Sequence, residues 1–124
     1  MRLGYLGPPG TFSEEAARQA TAAGGVELVP FASIPEAVIA VDRGAVDRAL
    51  VPVENSLEGG VTATLDALAW DAPDTVILGE SVLAIRNCLI ARDAIALDAI
   101  EAVVSHPQPL GQCARFLREE LPGA

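Results

Sequence analysis

Short apolar runs alternate with helical stretches along this chain, and glycine or proline stands at nearly every junction. That rhythm limits the fold to few possibilities. Arg2 to Leu6 reads as a buried strand, broken by Gly7-Pro8-Pro9-Gly10. Thr11 to Ala23 reads as a helix: Thr11 with Glu14 fits a capping box, Ser13 alone would also cap, and Gly24-Gly25 stops it. Val26 to Pro30 is a second strand. Ser33-Ile34-Pro35-Glu36 opens a second helix that Gly44 ends. Arg48 to Val53 is a nearly continuous apolar run, which suits a strand covered on both faces. Glu54 to Gly60 is a polar loop, and Thr62 to Trp70 a third helix with Leu65, Leu68 and Ala69 at helical spacing. Val76 to Ile90 is mostly strand-like, Ala102 to Ser105 is another strand, and Pro107 to Leu121 is a last helix. In that helix Leu110, Cys113, Ala114, Leu117 and Leu121 form one stripe. Strand and helix in alternation argue for an α/β fold: a largely parallel sheet flanked by helices.

Ligands in such sheets bind beyond the carboxyl ends of the strands. That rule selects Gly7 to Ser13, Pro52 to Thr64 and Ser105 to Gln112. In the first loop, a helix N-terminus with the Thr11 and Ser13 hydroxyls suits an anionic group, and equally suits a plain turn and cap. In the second, Glu54, Asn55, Ser56 and Glu58 crowd together after an apolar strand. An amide both donates and accepts, so Asn55 can orient a hydroxyl or a carboxylate; it can also serve only an Asx turn, with Glu54 a surface acid. In the third, Pro107 fits a first helical turn and Ser105 or His106 caps it. A lone histidine is more often structural than catalytic, and no Ser-His-Asp or Cys-His nucleophile can be assembled.

Composition removes several chemistries. All eight basic residues are Arg, so Schiff-base lysine chemistry and a P-loop are excluded. Seventeen acids against eight bases give a net charge of −9, which disfavours nucleic acid as a partner. One His and two distant Cys, Cys88 and Cys113, are too few for a structural metal site, and no metal is expected. The start carries no secretion-type segment and no apolar run is long enough to span a membrane, so a cytoplasmic location with reduced cysteines is expected. At 124 residues the prior is a single domain.

Three motifs, in order, resemble those of the prephenate dehydratase family. Tyr5-Leu6-Gly7-Pro8-Pro9-Gly10-Thr11-Phe12-Ser13 is similar to its opening motif. Val51-Pro52-Val53-Glu54-Asn55-Ser56-Leu57-Glu58-Gly59 resembles its Glu-Asn-Ser signature, and Ser105-His106-Pro107-Gln108-Pro109-Leu110-Gly111-Gln112-Cys113 its Ser-His-Pro-Gln motif. Thr64-Leu65-Asp66 and Gly79-Glu80 also sit where the family has them. Two departures stand out. Asn87 occupies a position where members usually carry His, and no Thr follows Thr75, so the family's later Thr-Arg-Phe motif, with its candidate proton donor, and the phenylalanine-binding ACT domain are not in this sequence.

The resemblance implies a lyase of L-phenylalanine biosynthesis that converts prephenate, a small dicarboxylate, to phenylpyruvate without a cofactor. It implies catalytic roles for Asn55, Ser105, Gln112 and Glu54, and substrate contacts from Thr11, Ser56, His106 and Gln108. It implies a two-lobed, type II periplasmic-binding-protein-like architecture. Residues 1–75 would form the first lobe; residues 76–124 would form the crossover and an incomplete second lobe. The chain then reads as the amino-terminal part of a catalytic domain, inactive alone, with exposed apolar surface and an unpaired sheet edge that favour a homo-oligomer. The same loops would also serve a non-catalytic carboxylate-binding or sensor module of that fold.

Overall fold

The structure, a computed structural model, describes every residue except Ser56, Leu57 and Glu58. It contains two compact units, Met1–Ala84 and Ile85–Ala124.

In the first unit, β1 (Arg2–Leu6), α1 (Phe12–Ala20), β2 (Glu27–Phe31), α2 (Ile34–Asp42) and β3 (Arg48–Leu50) follow in chain order. The three strands make a parallel sheet in the order β2-β1-β3. Leu3 pairs with Leu28 and with Arg48, and Tyr5 with Pro30 and Leu50. Because side chains alternate across a strand, β1 serves two cores. Leu3 and Tyr5 pack with Ala17 of α1, flanked by Val26, Leu28 and Leu50. Leu6 packs with Ile34 and Val38 of α2 and with Ala67 and Ala72. The sheet is thus flanked by α1 on one face and α2 on the other. Gly4 lies on the α2 face, where an added Cβ would stand 2.8 Å from the Phe31 ring.

The caps follow the local chemistry. Thr11 Oγ1 accepts from the Glu14 N–H at 3.4 Å, and Ser33 Oγ from the Glu36 N–H at 3.4 Å. Glu14 reaches back to accept from the Gly10 N–H at 2.6 Å and also pairs with Arg18 one turn on. The Gly10 amide first, and Arg18 second, hold the Glu14 carboxyl below its ordinary value of 4.5. The unfolded chain therefore binds this proton more readily than the folded one. The stabilisation is present in full above the ordinary carboxylate range and lost as pH falls through the folded value. Glu14→Gln is accordingly expected to lower the thermal midpoint at neutral pH, with the gap to the parent protein narrowing on acidification. Melting curves from roughly pH 7 down to 3 read this out; a gap that stays constant would contradict it.

Several elements differ from the sequence-based expectation. The helix expected over Thr11 to Ala23 ends at Ala20, because the Thr21 hydroxyl donates to the Ala17 carbonyl at 2.8 Å and the chain turns into Gly24. The strand expected to Val53 stops at Leu50 and forms an edge of the sheet. The polar loop contains a small antiparallel pair, β4 (Glu54–Asn55) with β5 (Gly59–Gly60). The third helix is α3 (Thr62–Asp66), continued by a π-helical turn over Ala67–Asp71.

No strand forms over Val76 to Ile90 or Ala102 to Ser105. A strand exists only by hydrogen bonding to a neighbour, and among the described residues nothing pairs with these segments. Their apolar side chains stand in solvent: Val82 is 82% exposed and Val104 94%.

In the second unit, a short 3₁₀ turn at Leu97–Ala99 precedes α4 (Pro107–Gln112) and α5 (Ala114–Glu120). The single helix expected over Pro107 to Leu121 is interrupted at Cys113. Pro109 and Gly111 lie within α4, and such residues weaken a helix interior. Leu121, on the expected apolar stripe, is buried.

Candidate functional site

Parallel strands bring their carboxyl ends to one edge of the sheet. In the first unit that edge carries the Gly7–Thr11 turn, the Ala32–Ser33 junction and the segment from Val51 to Val61. Gly7 anchors the first turn by donating its N–H to the Phe31 carbonyl at 2.8 Å, and a Cβ there would approach that carbonyl oxygen to 3.1 Å. The Gly7–Pro8 peptide is cis. Gly7, Pro8, Pro30, Phe31 and Ala32 line a shallow hollow at this edge. The Thr11 hydroxyl donates to the Pro8 carbonyl at 3.0 Å while accepting from Glu14, so it closes the turn and caps α1.

The second loop is tied at both ends. Val61 N–H donates to the Val53 carbonyl at 2.9 Å, and the β4–β5 pair sets Asn55 opposite Gly59 and Glu54 opposite Gly60. Behind it, the buried Thr64 hydroxyl donates to the Pro52 carbonyl, locking the strand exit onto α3. Gly59 has φ +79°, a left-handed conformation that L side chains rarely adopt, so the turn back depends on glycine. Asn55 is half-buried and Glu54 exposed on this hairpin. The third predicted residue here, Ser56, lies outside the described residues.

The second unit holds Ser105, His106, Gln108 and Gln112. His106 is the N-cap of α4: its Nδ1 accepts from the Gln108 N–H at 3.3 Å. Ser105 is exposed just before the cap. Gln112, the last residue of α4, is half-buried, and its Oε1 accepts from Asn87 Nδ2 at 2.9 Å. A hollow in this unit, lined by Val103, Leu110, Leu117 and Leu121 among others, includes neither Ser105 nor Gln112. Cys88 and Cys113 are free thiols.

The side chains named on these loops are hydroxyls, amides, one carboxylate and one imidazole, and the hydroxyls and amides can donate to an anionic oxygen. Among the described residues no group of three His, Cys, Asp or Glu gathers as a metal site would require, and no helix is long and apolar enough to cross a membrane.

Comparison with known proteins gives this arrangement a context. The family model described as prephenate dehydratase matches residues 3–124. The chain belongs to the prephenate dehydratase family. A prephenate dehydratase of Amycolatopsis methanolica is 47% identical over 123 residues, 99% of this chain and 39% of that protein. Arogenate dehydratase 2 of Petunia hybrida is 41% identical over 117 residues, 94% of this chain and 29% of that protein. The crystal structure of the Arthrobacter aurescens prephenate dehydratase in complex with L-Phe matches with a TM-score of 0.69 and 36% identity, covering all of this chain and 40% of that one. The α/β fold with its helix-flanked parallel sheet is therefore similar to that of a prephenate dehydratase. The chain spans less than half the length of each of these three proteins.

Two residues acquire roles that the sequence reading did not assign. Thr64 is the buried clasp of the Asn55 loop, twelve positions from its acceptor. Its one sequence signal was its place in Thr64-Leu65-Asp66. Asn87, noted only as a departure from the family pattern, is the partner of Gln112.

Proposed function

We propose that this chain takes part in the decarboxylating dehydration of prephenate to phenylpyruvate, the lyase step toward L-phenylalanine. Membership of the prephenate dehydratase family across residues 3–124 is the observation that carries the proposal. In the reaction the ring carboxylate leaves as carbon dioxide, and the pair of electrons from that bond moves into the ring. The ring hydroxyl departs as water after taking a proton. Aromatisation supplies the driving force, so no strong base, metal or organic cofactor is needed. The protein has two tasks: to hold a dianion in one orientation and to help a hydroxyl leave.

The assignments follow the chemistry of each side chain. Asn55 and Gln112 orient the substrate through their amides. Ser105 donates to a carboxylate or to the departing oxygen, and Glu54 positions its neighbours. Thr11, Ser56, His106 and Gln108 contact the substrate, supported by the helix N-termini that follow Thr11 and His106. Net charge does not forbid a dianion, because donors aimed at the carboxylates govern the local field.

The wider reading has the type II periplasmic-binding-protein-like architecture, with residues 1–75 in the first lobe and residues 76–124 supplying the crossover and part of the second. It places the protein in the cytoplasm as a homo-oligomer. The chain spans 39% of the Amycolatopsis methanolica relative, so the proposed activity is that of the full-length protein. The test is turnover: prephenate offered to the full-length protein is expected to disappear as phenylpyruvate forms. Arogenate offered in parallel reports the choice between the two substrates.

A further inference from the structure

A primary amide has nearly the same shape whichever way its oxygen and nitrogen point, so packing alone does not decide which one a ligand meets. A hydrogen-bonding neighbour biases it. For Gln112 that neighbour is Asn87, twenty-five residues earlier in the same unit, whose Nδ2 donates to Gln112 Oε1 at 2.9 Å. The contact ties a segment without helix or strand to the carboxyl-terminal end of α4. With Asn87 donating to Oε1, Gln112 turns its N–H₂, a pair of donors, away from that contact. Donors are what a carboxylate requires; a carbonyl oxygen turned toward a dianion would repel it.

We propose that Asn87 is a positioning residue that fixes the Gln112 amide with its donors available to a substrate carboxylate. The proposal rests on the assignment of Gln112 to substrate orientation made above. Its chemistry separates three substitutions at one position. Asn87→Ala removes the donor and frees the amide to rotate. A neutral hydrogen bond of this kind corresponds to about a two- to tenfold preference, so KM for prephenate should rise by about that factor. Asn87→Asp keeps the shape but can only accept, so it captures Gln112 Nε2 and presents Oε1 to the substrate. KM should rise more than about tenfold, because an attraction becomes a repulsion. Asn87→His keeps an N–H donor and should stay within about threefold of the parent protein.

The experiment is steady-state kinetics with prephenate on the full-length protein, for these three variants, Gln112→Ala and the Asn87→Asp/Gln112→Ala pair, each with a thermal midpoint. The expected result is a rise in KM in the order His, Ala, Asp at little-changed midpoint, with Asn87→Asp losing its effect once Gln112 is alanine. Equal losses of kcat at constant KM in all three variants, tracking the midpoint, would mark a structural role and overturn the proposal. So would an Asn87→Asp effect undiminished in the Gln112→Ala background. Parent-like kinetics in Gln112→Ala would instead remove the role assigned to Gln112, and the proposal with it.

Discussion

Asn55→Ala in the full-length protein is expected to cut prephenate turnover about 100-fold or more, the usual loss when one well-aimed donor is removed from a site that develops negative charge. Asn55 is held by its main chain, opposite Gly59 in the β4–β5 pair, and alanine keeps the backbone N–H and carbonyl that form that pair. The loop is further fixed by the Val61–Val53 hydrogen bond and by the Thr64 clasp, neither of which uses the Asn55 side chain. The scaffold should survive while the amide is lost. Steady-state kinetics beside a melting curve separate the two effects. A fall of less than about tenfold, or a loss matched by a drop in folded protein, would show that Asn55 serves its turn and not the substrate.

The largest expected effect on stability lies at Tyr5. Its side chain is 2% exposed, on the central strand of the sheet, packed with Leu3 and Ala17 and flanked by Val26, Leu28 and Leu50. Burial, and then the nearby Glu14 carboxylate, raise the pKa of its phenol, with Arg18 opposing. Tyr5→Ala removes a ring from this packed site and leaves a cavity between β1 and α1. Replacing a buried aromatic by alanine costs about 3–5 kcal/mol, a large share of the roughly 5–15 kcal/mol that holds a typical domain folded. Urea unfolding should show a much lower midpoint with an unchanged slope. Trp70, larger but 80% exposed, is the control. Its replacement by alanine should shift stability by no more than about 0.5 kcal/mol. Equal losses at the two positions would contradict the account of the core.

The parts of this fold that were legible in the sequence are those whose causes are local. Thr11 and Ser33 cap helices through contacts to residues three positions on, and the same short-range pattern marks where α1 and α2 begin. Arg2–Leu6 reads as a strand because its apolar side chains meet helices on both faces. The failures are non-local. Val76 to Ile90 has the composition of a strand, yet composition supplies no hydrogen-bonding neighbour, and these residues form no strand and are mostly exposed. Val51 and Val53 look like the continuation of β3, but pairing with β1 ends at Leu50. Cys113 lies on a helical stripe, and the stripe does not register the prolines and glycine that interrupt the helix there.

The candidate site divides in the same way. The loops follow from the rule that ligands bind beyond strand ends, and the motifs pick out Asn55, Ser105 and Gln112 within them. The side-chain contacts found near Asn55 and at Gln112 are long-range. Thr64 reaches Pro52 across twelve positions and Asn87 reaches Gln112 across twenty-five, so neither pairing leaves a trace in periodicity or spacing.

The most direct test of the functional account is the stoichiometry of prephenate consumption by the purified full-length protein, with no metal or cofactor added. The account predicts one phenylpyruvate and one carbon dioxide for each prephenate lost. Prephenate that binds and is recovered intact would contradict it and favour a carboxylate-binding module built on the same fold.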